Sequence, residues 1–420
     1  MKRLLIIAAS IITFSLSASA QWYLFPIEEK EEQKTAEEQK TVETQKATEA
    51  QEPEIRVIVD DGEILAATDT VEQAIRQEEE FVLDIPETIK VTLLLPVQLS
   101  GKTNTNFVDM YAGALLAARD LGNEGLKIEL SAFDSSDESG MVTEEILAGS
   151  DIILGPVSPD DMMRYMESAP DKFFVSPLEP KSAALADSSY VVQAPSSAYD
   201  QVDELVAWLL EETVAGDDVV LLKDTVSSAI TEQSAYLIQK LEESGLRFKT
   251  AYLASNINPS SIGNTRFVIA SDRDSFIATA ARQIGLSSMK RKKDDLFIYG
   301  TSKLRNANGL EAQYLYMTNA RITMTYAIDY SDEKVKDFIL AYRALYKDEP
   351  AAFAFQGYDT MHYFVKACAR YGRQWYKKLP EYSERGLQSN FRFDVKETAG
   401  NVNKAVRRVA YNRSTSITVQ

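Results

Sequence analysis

The sequence predicts an α/β fold: two lobes in series, each a parallel sheet covered by helices, with a cleft between them. Three observations predict it. From Glu87 onward, short apolar runs alternate with longer amphipathic stretches, the β-α repetition that builds parallel sheets through right-handed crossovers. The apolar runs are continuous, as in strands buried on both faces. The series occurs twice and the chain then returns toward its first part, which predicts a hinge.

Val91–Leu95 is the first strand and ends at Pro96. Asn106–Leu121 is a helix, because Phe107, Met110, Ala114, Ala117 and Ala118 share one face. Gly122 is its expected left-handed exit. Lys127–Phe133 is a strand, Asp137–Ala148 a helix, and Asp151–Leu154 a strand stopped by Gly155-Pro156. Pro159–Glu167 is helical, since proline suits a first helical turn. Phe173–Val175 and Tyr190–Val192 are strands. The second series runs through helix Tyr199–Glu212, strand Asp218–Leu222, helix Ala229–Glu243 and strand Phe248–Leu253. Strand Thr265–Ala270, helix Asp274–Gly285 and strand Leu296–Tyr299 complete it. Ile322–Tyr330 reads as a strand and crossover, Glu333–Tyr346 and Gly357–Tyr371 as long helices, and Ser389–Asp394 and Lys404–Tyr411 as β.

Residues 1–20 read as an export signal: Lys2 and Arg3, then the apolar run Leu4–Leu16, then Ala18-Ser19-Ala20 before a cleavage point at Gln21. The run is shorter than the roughly 20 residues that span a bilayer. No cysteine follows it, so the mature chain is expected to be periplasmic or secreted, without lipid anchor or membrane insertion. Residues 21–54 read as a disordered acidic linker. It contains the hexads EEQKTA, EEQKTV and ETQKAT, and residues 28–54 hold ten Glu and four Lys. Almost no large apolar side chain is there to offset the entropy of ordering. Residues 55–86 form a short segment with an expected strand, Ile55–Val59, and helix, Thr68–Glu80.

Composition narrows the chemistry. The 420 residues carry a net charge of -18, which disfavours nucleic acid and anionic membrane surfaces as partners. One histidine, His362, and one cysteine, Cys368, leave no multi-His metal site, no Cys cluster and no intrachain disulfide. Cys368 lies in an apolar run and is expected to be a buried, inert thiol. The sequence lacks a P-loop, GxGxxG after the first strand, GxSxG and HExxH. No catalytic residue, metal or cofactor is therefore predicted.

Ligands of open parallel sheets bind beyond the carboxyl ends of the strands. Those ends here carry small polar residues: Asp134, Ser135, Ser158 and Ser176 in the first lobe, Thr301 and Ser302 in the second. These six are the candidate contacts for a small polar ligand. Ser158 reads equally well as the cap of the helix behind it. Lys223 and Asp224 read as a surface pair.

The segments "VTLLLPVQLSG", "YAGALLAARDLGNEGLKIELSAFDSS", "DIILGPVSP", "FFVSPL" and "FILAYRALYKDEPAAFAFQGYDTMHYFVKAC" resemble the type I periplasmic binding proteins, in their leucine/isoleucine/valine-binding branch. The resemblance implies two Rossmann-like lobes, three hinge crossings and no catalysis. By the family pattern the first lobe is 87–196 plus 321–375 and the second 197–320 plus 376–420. Ser158 matches the serine that binds an amino-acid carboxylate, and Ser176 opens the loop that supplies further carboxylate contacts. A lysine, Lys303, stands where the family's ammonium-binding acid is expected. The resemblance implies an extracytoplasmic solute-binding protein serving an ABC transporter permease. The same scaffold also occurs in non-transport envelope proteins that bind a protein or peptidoglycan.

Overall fold

A computed structural model of the chain describes residues 83–99, 101–136, 141–178, 185, 190–394 and 401–420. The signal, the acidic linker, the strand at 55–59 and the helix at 68–80 lie outside the described residues.

The chain begins with β1 (Ile89–Leu95), a hairpin of β2 (Gln98–Leu99) and β3 (Lys102–Thr103), α1 (Thr105–Asn123) and β4 (Ile128–Asp134). It continues through α2 (Glu144–Ala148), β5 (Ile152–Leu154), α3 (Pro159–Ser168), β6 (Phe174–Ser176) and β7 (Val191–Gln193). The second lobe opens with α4 (Ala198–Glu212), β8 (Asp218–Lys223), α5 (Glu232–Glu243), β9 (Lys249–Ala251) and β10 (Thr265–Ala270). There follow α6 (Asp274–Met289), β11 (Leu296–Thr301), α7 (Ser302–Asn306), α8 (Ala312–Met317) and β12 (Arg321–Met324). The last part holds α9 (Glu333–Tyr346), α10 (Ala352–Tyr371), β13 (Glu384–Arg385), β14 (Asn390–Phe391), β15 (Asn401–Val402), β16 (Arg407–Tyr411) and β17 (Ile417–Val419).

The first sheet has the order β15-β7-β6-β5-β1-β4, parallel throughout. The second is β17-β16-β12-β11-β10-β8-β9, parallel except for its last two strands. The strand order reverses between β1 and β5 in one sheet and between β8 and β10 in the other. Such switch points open a crevice at the carboxyl ends of the strands. The apolar strands bury as expected: Leu93, Leu94, Val175, Leu222, Ile298 and Ile322 are all within 2% of full burial. No buried apolar cluster among the described residues draws on both sheets. The two lobes thus have separate cores.

Helices α1 and α10 cross at two glycines. A Cβ on Gly113 would lie 1.8 Å from the Ala354 carbonyl oxygen, and one on Gly357 1.9 Å from that of Met110. Only hydrogen fits at either position, so the GYD segment is a packing device for the first lobe. Gly155 is a second case: its φ is +93°, and a Cβ would meet the Leu94 oxygen at 2.1 Å.

Several expectations shift. Helix α1 runs on through Gly122 to Asn123, and the positive φ falls at Gly125. The helix expected over 137–148 is described only as Glu144–Ala148, capped by Thr143. The expected lobe boundaries also move. Arg321–Met324 pairs with β11 in the second sheet, Phe391 and Phe393 belong to the first core, and β15 pairs with β7. The crossings between lobes therefore run near 194–197, 325–332 and 403–406. A short apolar run specifies that a strand is buried and leaves open which of two sheets receives it.

The three crossings are bonded to one another. Asn403 Nδ2 donates to the Ala194 oxygen (2.8 Å), Thr325 Oγ1 to the Ser196 oxygen (3.2 Å), and Lys404 Nζ to Asp200 Oδ1 (3.0 Å). Arg407, fully buried, donates to the carbonyls of Ala327 (2.6 Å), Leu387 (3.1 Å), Ser389 (3.2 Å) and Gly386. Burial lowers its pKa to about 10. Asp359 of α10 accepts the backbone N–H groups of Leu387 (2.6 Å), Gln388 (2.9 Å) and Ser389 (2.9 Å). The crossings leave from the carboxyl ends of β7, β12 and β15, which turns the carboxyl edges of both sheets toward the interlobe space.

Candidate functional site: the carboxyl edges of the two sheets

On the carboxyl edge of the first sheet, β1 ends beside β4, with Leu95 opposite Asp134. Asp134 is fully engaged in shaping the loop. Its Oδ2 accepts the Gln98 N–H (2.8 Å), and its Oδ1 accepts the Ser136 N–H (3.0 Å) and hydroxyl (2.6 Å). Ser135 is fully buried and its hydroxyl has no hydrogen-bond partner. An unpaired buried hydroxyl is costly, so Ser135 is the polar group at this edge with hydrogen-bonding capacity left over. Ser176, at the end of β6, is buried and bonded.

Ser158 caps α3. Its hydroxyl accepts the Asp161 N–H (3.1 Å) and donates to Asp161 Oδ2 (2.8 Å). Asp161 Oδ1 takes a bond from Arg164 (2.8 Å), which also donates to the Ser135 carbonyl (2.8 Å). The single Ser158 proton is thus committed to a carboxylate. A ligand carboxylate placed there would meet a lone pair, with the Asp161 charge behind it. Ser158 before Pro159 is legible in the sequence as a helix cap; its bond to Asp161 and the Arg164 pair are not.

At the second switch point the chemistry differs. Asp224 is buried and accepts four donors: Arg273 Nη2 (2.7 Å) and Nε (3.0 Å), Ser271 Oγ (2.7 Å) and Val226 N–H (3.0 Å). Burial alone would raise this carboxyl, but the bonds from Arg273, Val226 and Ser271 outweigh it and hold the pKa below the usual range. The expected Lys223–Asp224 surface pair is therefore corrected: the partner is Arg273, and the bond is made below the surface. One layer out, Asp272 accepts Ser234 Oγ (2.8 Å), the Thr231 N–H (3.0 Å) and the Lys303 ammonium. Lys303 carries its own acid with it, so the position replaces rather than supplies an ammonium-binding carboxylate. Thr301 is buried, and its hydroxyl makes no hydrogen bond among the described residues. Ser302 donates its N–H to Gln201 Oε1 (3.1 Å). The cavity beside Thr301, Lys303 and Ser234 measures about 20 Å³, room for one water.

The structure thus brings Asp134, Ser135, Ser158 and Ser176 to one edge and Thr301 and Ser302 to the other. Of these, the hydroxyls of Ser135, Thr301 and Ser302 make no hydrogen bond among the described residues. His362 is not at either edge. Cys368 is fully buried, and burial pushes its thiol up to about 12. No group of three or more metal-ligating side chains occurs among the described residues.

The periplasmic binding protein family model matches residues 88–377. The chain belongs to that family. Solved structures share the fold at low identity. One, described as a branched-chain amino acid ABC transporter from Rhodospirillum rubrum, is 16% identical with a TM-score of 0.55, over 79% of this chain and 100% of that one. LivJ from Streptococcus pneumoniae, in complex with isoleucine, is 16% identical with a TM-score of 0.40, over 79% and 99%. Full-length LpoA from Haemophilus influenzae is 12% identical with a TM-score of 0.48, over 84% and 64%. A search of curated proteins finds no match. No helix among the described residues is long and apolar enough to cross a membrane.

Proposed function

We propose that this periplasmic binding protein is an extracytoplasmic solute-binding protein whose two lobes close on a small polar ligand. The observation that supports it most is the pairing of two independent apolar cores with two facing polar sheet edges. A hinge between separate cores can move without breaking either one. The ligand stabilises the closed form through its differential affinity for it.

The ligand class follows from what the edges leave unbonded. Ser158 has given its proton to Asp161, and Asp224 and Asp272 are each matched by a cation. The unbonded groups are neutral hydroxyls, those of Ser135, Thr301 and Ser302. This supports a ligand rich in hydroxyl or amide groups over a free α-amino acid. Asp134, Ser158 and Ser176 then shape the edges around it. Export through residues 1–20 and delivery to an ABC transporter permease belong to the same proposal.

A thermal-shift screen against amino acids, short peptides, nucleosides and muropeptides tests the reading. A ligand at 100 times its dissociation constant adds about 2.7 kcal/mol. Stabilisation by a hydroxyl- or amide-rich compound, lost in Thr301→Val, is expected. Stabilisation by free leucine or isoleucine alone overturns the ligand class, and no stabilisation by any compound overturns the solute-binding role.

The internally matched charges at the second edge favour one further reading: a non-transport envelope protein that uses the scaffold to hold a protein or peptidoglycan. Co-sedimentation with purified peptidoglycan, without any small-molecule stabilisation, is its signature.

A further inference from the structure

A hollow of about 400 Å³ lies away from both sheet edges, a size typical of small-molecule sites. Its walls come from the C-terminal end of α1, the start of α9, the middle of α10 and the β13 segment. Because α1 departs from the carboxyl end of β1, its C-terminal end lies at the opposite side of the lobe. None of the edge residues described above lines the hollow.

Its floor is aromatic. Tyr358 and His362 stack with ring centroids 5.6 Å apart and planes 13° apart, and Tyr363 stacks on Phe391 at 4.4 Å. Its acids are already matched. Asp120 pairs with Arg119 (2.6 Å) and accepts the Tyr358 hydroxyl (3.2 Å), and Glu124 pairs with Lys366 (3.2 Å). Glu384 Oε1 lies 2.9 Å from His362 Nδ1, and Tyr382 donates to its other oxygen. Burial would raise Glu384, but His362 and Tyr382 outweigh it and hold the group ionised. Asp359 is closed by its three backbone donors. The exposed rim residue Asp337 is the one lining acid without a bonded partner.

The cations are less well matched. The Lys334 ammonium meets no carboxylate within ion-pair distance among the described residues. Arg385 uses one nitrogen, Nη2, for the Val419 carbonyl (3.2 Å) and for Asp329 and Asp332 (3.5 and 3.9 Å), which leaves Nε and Nη1 without a bond among the described residues. Asp332 also caps α9 by accepting the backbone N–H of Lys334 (2.9 Å), and both Lys334 and Arg385 line the hollow. The spare hydrogen-bonding capacity there is donor capacity, above a flat apolar floor.

We propose that this hollow is a second binding site, for a small anion — a carboxylate or a phosphate — carried on a flat apolar body that lies against the Tyr358–His362 stack. Lys334 and Arg385 meet the anionic group. The site is separate from the interlobe cleft and binds whether or not the cleft is filled.

The lone histidine makes the test direct, because the Cε1–H of its imidazole gives one unambiguous nuclear magnetic resonance signal. The full chain is titrated with benzoate, phenyl phosphate and the uncharged control benzyl alcohol, each to about 10 mM, well above a millimolar dissociation constant. The His362 signal is expected to move saturably with at least one anion, and which one moves it identifies the head group. Benzyl alcohol is expected to leave the signal in place. Lys334→Glu with Arg385→Glu, both on exposed side chains, is expected to weaken binding at least tenfold while circular dichroism stays unchanged. No movement with either anion, or an equal response in the doubly reversed variant or to benzyl alcohol, overturns the proposal.

Discussion

The two sheet edges solve one problem in different ways. Both must end a parallel sheet in a solvent-facing crevice. The first uses turns and caps in which carboxylates accept backbone and hydroxyl donors: Asp134 folds the loop after β1, and Ser158 closes on Asp161. The second uses buried and half-buried ion pairs, Asp224 with Arg273 and Asp272 with Lys303. A capped edge loses little when one hydroxyl is removed, whereas a charge-matched edge loses much when one charge is.

The largest effect is expected at the second edge. Asp224→Ala removes the acceptor of four bonds, and the loss is expected to be about 2–3 kcal/mol in chemical denaturation. Part is recovered because the half-exposed Arg273 can turn to water. A loss below about 0.5 kcal/mol would remove the distinction between the edges.

Acid titration comes next. Because the folded pKa of Asp224 is depressed, its contribution is present above the unfolded carboxylate value of about 3.9 and is lost as pH falls through the folded value. Unfolding curves between about pH 5 and pH 2 should fall steeply in the native chain and less steeply in Asp224→Asn. Parallel curves would show that the pair carries no linkage.

At the first edge Ser158→Ala is expected to cost about 1 kcal/mol, the ordinary value of a helix cap. Ligand affinity should stay within about twofold, because the hydroxyl proton already belongs to Asp161. A large affinity loss with little change in stability would return Ser158 to direct ligand contact. The smallest stability effect is expected at Thr301→Val, under about 0.5 kcal/mol, accompanied by lost affinity for the ligand found by screening.

Much of the fold was legible because continuous apolar runs such as Val91–Leu95, Ile152–Leu154 and Thr265–Ala270 can be satisfied only inside a parallel sheet. The sheet each terminal strand joins was not legible. Arg321–Met324 and Asn401–Val402 are short, and their pairing is decided by tertiary bonds such as Asn403 to Ala194. The short helices Ser302–Asn306 and Ala312–Met317 escaped because neither is long enough to show a helical period. At the site, polar strand ends were visible as composition, but their bonding was not. Asp224 finds Arg273 49 residues away, and a buried Arg407 bonding four carbonyls leaves no trace in a strand that reads as ordinary β. Ser158 was readable as a cap, but the donation of its hydroxyl to Asp161, which argues against a carboxylate contact there, was not.

The central claim is that two lobes with separate cores close across a polar crevice. It is tested most directly by spin labels on Lys102→Cys and Ser228→Cys, exposed positions on opposite edges, with the buried Cys368 left in place. Pulsed electron resonance should give a broad distance distribution in the protein alone, moving to a shorter, narrower one with the stabilising ligand. A single narrow distance, identical with and without that ligand, would contradict it.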